Sequence, residues 1–236
     1  MSAPSQGNDV AVVIPARNEA DRIRQTVTAS AGLPCVGLVV VVDDGSRDGT
    51  GAVARRAGAV VLRHARNRGK AAAMQSGANA VGLVDQRERR ERPRHLLFLD
   101  ADLAESAAQA GPLTDPVLAD RADMTIAVFA ATVKLGGHGL VVGLSGAGIR
   151  RAVGWQPAQP LNGQRCLTRA AFEAARPLAR GWGVETALTI DLMRRGFRVT
   201  EVEVELAHRA TGTGLRAQLH RAHQLAVVAR ALAVRR

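Results

Sequence analysis

The sequence predicts an α/β fold with a mostly parallel central sheet and helices on both faces. Three observations predict it. Short continuous apolar runs recur through the first half of the chain, as in strands buried on both faces. Each is followed over a short link by a segment with helical spacing, the alternation that builds parallel sheets. Two of the runs end in aspartate pairs, at the strand ends where such a sheet collects its ligands.

The elements follow in order. The run "VAVVIPA" (Val10 to Ala16), closed by Pro15, reads as the first strand. Asn18 sits three residues before Asp21 in a helix-capping position, and Ala20, Ile23, Val27 and Ala31 recur at helical spacing. "VGLVVVVD" is a second buried strand, followed by a helix through "TGAVARRAG". "AVVLR" (Ala59 to Arg63) is a third, with a helix through "GKAAAMQSGANAVGLV" behind it, and "HLLFLDAD" (His95 to Asp102) is a fourth. "DQRERRERPR" (Asp85 to Arg94) mixes charge signs and reads as a solvated, mobile connection.

In the second half, "DMTIAVF" (Asp123 to Phe129) is a further strand, and "LNGQRCLTRAAF" (Leu161 to Phe172) reads as a turn, a short strand and a helix start. Ala187, Ile190, Asp191 and Arg194 keep helical spacing until Gly196. Val202, Val204 and Leu206 then alternate with Glu201, Glu203 and Glu205 in a strand with one wet face. The expected organisation is a single domain over residues 1–236, with a nucleotide-binding half (8–130), an acceptor half (131–212) and a basic C-terminal helix (213–236).

Composition narrows the function classes. With 47% hydrophobic and 22% charged residues, the chain is globular in type. No apolar run approaches the roughly 18 residues that span a bilayer, and the first residues lack the charged-then-apolar pattern of a secretory signal. A cytoplasmic location is therefore expected. Cys35 and Cys166 stand far apart without metal-ligand spacing, which favours free thiols. The net charge of +11 points to anionic partners. Tyrosine is absent and aromatics make up 3%, so base-stacking platforms are missing, and no nucleic-acid partner is expected.

Asp43 and Asp44 end the second strand and Asp100 and Asp102 the fourth, so both pairs project over one sheet edge. Alternation with Ala101 would put Asp100 and Asp102 on one side of the chain. Clustered carboxylates repel unless a cation or ligand is shared. For Asp48, and for Asp44 in part, helix capping is the alternative role. "RNRGKAA" is not a P-loop, since His64 and Ala71 stand where the first glycine and the Ser or Thr belong. Gly146 and Gly148 lie too late in the chain for a dinucleotide fingerprint.

Four motifs, "VVIPARNEA", "VVDDGSRDGT", "NRGKAAAMQSG" and "FLDADL", occur between Val12 and Leu103 in this order. Together they resemble the nucleotide-sugar-binding half of family 2 glycosyltransferases with the GT-A fold, whose first half is Rossmann-like. The resemblance implies that Pro15, Ala16, Arg17 and Glu19 line the base and ribose and that Asp43 and Asp44 hold the nucleoside. It implies that Lys70 approaches the donor phosphates and that Asp100, Ala101 and Asp102 form the D-x-D element for Mg²⁺ or Mn²⁺. The chemistry agrees: a nucleoside diphosphate leaves readily only when its developing charge is neutralised, by a cation on carboxylates or by a lysine.

Glu185 follows "GWG" and opens a helix, and His208 closes the wet strand. By residue chemistry alone, Glu185 is either a ligand-facing group or a first-turn helix carboxylate, and His208 is more often structural. "LNGQR", "GWGVETALTID" and "AHR" are similar to glucosyl-3-phosphoglycerate synthases, a retaining GT-A family using UDP-glucose and Mg²⁺. That similarity implies His208 on the cation with Asp102, Glu185 facing the sugar, and Gly163, Gln164 and Arg165 lining the donor-sugar or acceptor pocket. If transfer inverts, Glu185 is the candidate base.

The partners so implied are a nucleotide-diphosphate sugar, with UDP-glucose first, and a small anionic acceptor. A polyprenyl-phosphate acceptor is the alternative. It would suit the tail "LRAQLHRAHQLAVVARALAVRR", whose Leu215, Leu219, Ala222, Ala226 and Ala229 make one apolar face of a basic helix able to contact a membrane peripherally. A homodimer and a non-catalytic sugar-nucleotide binder are the remaining alternatives.

Overall fold

The structure, a computed structural model, describes residues 8–129, 139–179, 181–206 and 232. Among the described residues seven strands form one sheet: β1 (Val10–Ala16), β2 (Val36–Asp43), β3 (Val60–Arg63), β4 (His95–Phe98), β5 (Met124–Phe129), β6 (Arg165–Leu167) and β7 (Val199–Val204). Their order is β3-β2-β1-β4-β6-β5-β7. All neighbours pair in parallel except β6, which is antiparallel to both β4 and β5.

Period-two alternation divides β1 between two cores. Val10, Val12 and Ile14 pack with Ile23 and Val27 of α1 (Ile23–Ala31), Ala54 of α2 (Thr50–Arg56), Leu113 of the 3₁₀ stretch Ala104–Leu113 and Val117 of the one-turn α4 (Asp115–Leu118). Ala11 and Val13 pack on the other face with Met74 and Val81 of α3 (Lys70–Arg87), Phe172 of α6 (Arg169–Ala174) and Leu188 of α7 (Val184–Arg194). The chain winds outward from β1 through β2 to β3 and then returns to β4 on β1's other side. The order thus reverses at β1, and ligands of open sheets bind in the crevice at such a switch. Because β6 runs backwards, residues 162–164 before it reach the same edge as the ends of β1, β2 and β4.

Several local expectations are corrected. Asn18 does not cap α1: its φ is +55°, its Oδ1 accepts from the Arg47 amide, and α1 begins at Ile23 behind Arg22. Asn tolerates the left-handed region, so the β1–α1 link folds onto the β2–α2 link instead. Ala31 is exposed, and α1 buries Ile23, Thr26, Val27 and Ser30. β3 is not buried on both faces; as an edge strand it leaves Val60 43% and Leu62 37% exposed. β4 ends at Phe98, so Asp100 and Asp102 lie in a turn and not at alternating strand positions. The cause is Thr26, whose hydroxyl donates to Ala101 O (2.8 Å) and accepts from Ala104 N (2.9 Å), drawing the chain toward α1.

The charged link after α3 is anchored at both ends. Asp85 and Arg94 are buried and paired, and Arg94 also meets Glu88 at 2.6 Å while Arg169 reaches Asp85 at 3.4 Å. Between these anchors Arg87, Arg89 and Arg92 are exposed, while Arg90 is half-buried and pairs with Asp9 at 2.8 Å.

Gly148 lies within α5 (Gly139–Val153), and a Cβ there would stand 2.3 Å from Leu232, so its role is close packing. Cys35 and Cys166 are free thiols. No helix among the described residues is long and apolar enough to cross a membrane. His208 and the tail expected to form the basic helix, apart from Leu232, lie outside the described residues.

Candidate active site

Loops after β1, β2, β3 and β4, the turn before β6 and the start of α7 provide the candidate residues. At the centre is Lys70, the first residue of α3. Its Nζ donates to Asp100 Oδ1 at 2.8 Å and lies 3.2 Å from Glu185 Oε1. Gln164 Nε2 donates to Asp100 Oδ2 at 3.0 Å. Burial alone would lower the Lys70 pKa, but the Asp100 and Glu185 carboxylates outweigh it and raise the value above the ordinary one. The ammonium is therefore a fixed positive charge between two carboxylates, 27% exposed.

Gly163 makes this geometry feasible: a Cβ there would stand 2.2 Å from Lys70 Nζ and 3.3 Å from Asp100 Oδ1. A Gly163→Ala protein is expected to fold, because the lysine end can swing aside. Turnover should nevertheless drop by roughly 10- to 100-fold, the scale of a 1 Å misplacement. Steady-state kinetics alongside a melting curve would check this, and unchanged turnover would show that the Lys70 position is not critical.

The Asp44 carboxylate is engaged by donors of the chain itself. It accepts from Arg68 N, Gly69 N and His64 Nδ1, at 2.8, 2.8 and 2.7 Å. His64 Nε2 lies 3.0 Å from Ser76 Oγ on α3. Asp44 thus shapes the glycine turn that launches α3 and aims Lys70. The sequence carries no local signal for this role, His64 standing out only as a mismatch to a P-loop. Asp48 likewise organises a turn, accepting from Ala20 N at 3.0 Å and Thr50 N at 3.1 Å, without capping α2, whose cap is Gly49. Asp43 accepts from Ser46 N at 2.8 Å and lies 3.6 Å from Arg63.

Arg165 does not line a pocket. It is fully buried, and its guanidinium donates to the carbonyls of Pro160, Asn162 and Glu185 and to Thr189 Oγ1. Burial lowers its pKa to about 10, opposed by Glu185 and Glu201, so it remains a cation at neutral pH.

Around the ends of β1, β2 and β3, Arg17, Arg47, Arg63 and Arg66 line an open cavity of about 460 Å³ with Gly45, Ser46, Ala65 and Asn67. Of these, sequence reading named only Arg17. The Asn67 Oδ1 and Ser46 Oγ acceptors are already used, by Gly69 N and Asn18 N. Pro15 and Ala16 close β1 beside the cavity-lining Arg17, Ala16 O accepting from Asp44 N, and the Glu19 amide donates to Thr50.

Asp100 and Asp102 are partly exposed on a turn riveted by Thr26 and by Arg22, which donates to Asp102 O at 3.3 Å. Among the described residues no three His, Cys, Asp or Glu side chains converge for a metal. Two hard carboxylates on a rigid turn still fit Mg²⁺ or Mn²⁺, since such ions take most remaining ligands from substrate phosphate and water.

Comparison with known proteins agrees with this architecture. The profile of glycosyl transferase family 2 matches residues 11–137. An uncharacterized protein of Methanocaldococcus jannaschii is 33% identical over 121 residues, 50% of this chain and 46% of its own length. Glycosyltransferase AglJ of Haloferax volcanii is 27% identical over 86% of this chain and 65% of its own. The chain therefore spans between about half and two-thirds of these relatives. Crystal structures of glucosyl-3-phosphoglycerate synthase from Mycobacterium tuberculosis share the fold. The complex with phosphoglyceric acid superposes with a TM-score of 0.75 at 24% identity, over 95% of this chain and 80% of that one. The complex with Mn²⁺, UDP and phosphoglyceric acid gives 0.74 at 24% identity, over 94% and 78%.

Proposed function

The chain belongs to glycosyl transferase family 2, and on that premise we propose that it transfers a hexose from a nucleoside-diphosphate sugar, UDP-glucose first, to a small anionic acceptor of phosphoglycerate type. The observation that carries this reading is the meeting of Lys70, Asp100, Glu185 and Gln164 at the sheet's carboxyl edge beside the arginine-lined cavity.

In this reading the nucleoside lies by Pro15, Ala16, Arg17, Glu19 and Asp43. Arginine carries only hydrogen-bond donors, so this lining suits a base rich in carbonyl acceptors, such as uracil. Asp100 and Asp102 would hold Mg²⁺ or Mn²⁺, which when bound would supply Lewis-acid neutralisation of the leaving diphosphate. Lys70 adds a point charge to the same phosphates. Gln164 orients Asp100, and Glu185 faces the donor sugar. The fold neighbours solved with UDP, with Mn²⁺ or Mg²⁺, and with phosphoglyceric acid support the choice of donor, ion and acceptor class.

A thermal-shift panel of UDP-, GDP-, ADP- and CDP-sugars with and without Mn²⁺ tests the donor. A ligand at 100 times its dissociation constant should add about 2.7 kcal/mol, or roughly 5–11 °C for a chain of this size. UDP-glucose with Mn²⁺ is expected to stabilise most and ADP- or CDP-sugars little. Equal stabilisation by all four would remove the base assignment. Binding without release of UDP in the presence of phosphoglyceric acid would favour a non-catalytic binder.

A further inference from the structure

Arg165 is the largest fully buried side chain among the described residues and carries a charge that the proposed chemistry does not use. It begins the antiparallel strand β6, paired with Phe98 on one side and Ile126 on the other. Its guanidinium spans two segments that share no strand: the Pro160–Asn162 turn, at 2.9 and 2.8 Å, and the first turn of α7, where Nη1 donates to Glu185 O at 3.0 Å. Thr189 holds the same junction, accepting from Arg165 Nη1 at 2.9 Å and donating to Glu185 O at 3.0 Å. Asn162 closes the other side, its Nδ2 donating to Ala127 O while its Oδ1 accepts from Gln164 N. One planar cation with several donors can hold both segments in a single geometry, which a flexible ammonium cannot reproduce.

We infer that Arg165 is a positioning residue that sets the two ends of the Lys70 cluster: Gln164 against Asp100 through the turn, and Glu185 against Lys70 through α7. Its consequence for turnover rests on the transfer reading above; its effect on Lys70 does not. Without the guanidinium, three carbonyls lose a buried donor, the start of α7 is released from the turn, and the Glu185 carboxylate no longer meets Lys70.

The sequence contains only two lysines, Lys70 and Lys134, so the prediction can be read chemically. The full chain is acetylated briefly with acetic anhydride, and Lys70 modification relative to Lys134 is measured by mass spectrometry. Arg165→Met is expected to speed Lys70 labelling roughly tenfold, in the range of couplings between contacting residues, and Arg165→Lys to restore part of the protection. Thr189→Val keeps the guanidinium and guards against an Arg165 variant that fails to fold; it should give a smaller rise in the same direction. In parallel, release of UDP from UDP-glucose with Mn²⁺ and phosphoglyceric acid as acceptor should fall in kcat with KM little changed. Unchanged Lys70 labelling in the cooperatively folded variants would overturn the inference. If the unmodified protein releases no UDP, the transfer reading fails while labelling still decides the role of Arg165.

Discussion

Lys70→Met is expected to lower the turnover of a UDP-sugar by on the order of 10²–10³-fold, the loss that follows removal of one preorganised stabiliser of developing negative charge. The variant removes the cation shared by Asp100 and Glu185. Glu185 has a side chain only 8% exposed, so its carboxylate would be left buried and unpaired by Lys70, at about 1–3 kcal/mol. Since the folded-state pKa of Lys70 is raised, the pair's contribution to stability is fully present below the ordinary value of 10.5 and is lost as pH rises through the folded value. The melting-temperature gap between variant and parent should accordingly be constant from about pH 7 to 10 and narrow only beyond. Kinetics of UDP release and melting curves across that range check both parts. Turnover within threefold of the parent would remove Lys70 from the phosphate-binding role.

Asp85→Ala is expected to cost about 3–5 kcal/mol, the scale for breaking a buried ion pair by removing one partner. For a chain of this length that is a fall in melting temperature of roughly 6–20 °C. Asp85 takes the Arg94 guanidinium and amide on one side and Arg169 on the other, so its loss removes the buried carboxylate shared by two cations at the amino edge of the sheet and leaves them only the more exposed carboxylates of Glu88 and Glu173. Burial lowers the Arg94 pKa, but Glu88 and Asp85 outweigh it and hold the group above its ordinary value, so it cannot escape by deprotonation. Because this cluster lies at the sheet edge opposite the carboxylates, kcat at a permissive temperature should be unchanged. A calorimetric loss below about 1 kcal/mol would show that solvent replaces the pair.

Much of the donor side was legible in the sequence because its signals are local. Apolar runs, turn residues and carboxylates at run ends are contiguous, so β1, β2, β4 and the edge that carries Asp43, Asp100 and Asp102 could be read directly. Lys70 at the start of α3 and Glu185 at the start of α7 were likewise identifiable as charged residues opening predicted helices. Their meeting was not, since 115 positions separate them and only the crossing of the sheet brings α3 and α7 onto one core.

The sequence by itself determined the element order, the mostly parallel sheet and the edge where charge collects, because periodicity of 2.0 or 3.6 residues is a property of neighbours in the chain. The tertiary structure decided which charged residues meet. Asp44 braces a glycine turn, Arg165 is buried instead of lining the crevice, and the arginines of three separate loops converge on one cavity. A buried polar group must find its partners wherever the fold supplies them: His64 lies 20 residues from Asp44, and Glu185 and Thr189 lie 20 and 24 residues from Arg165, whose partners Pro160 and Asn162 are local.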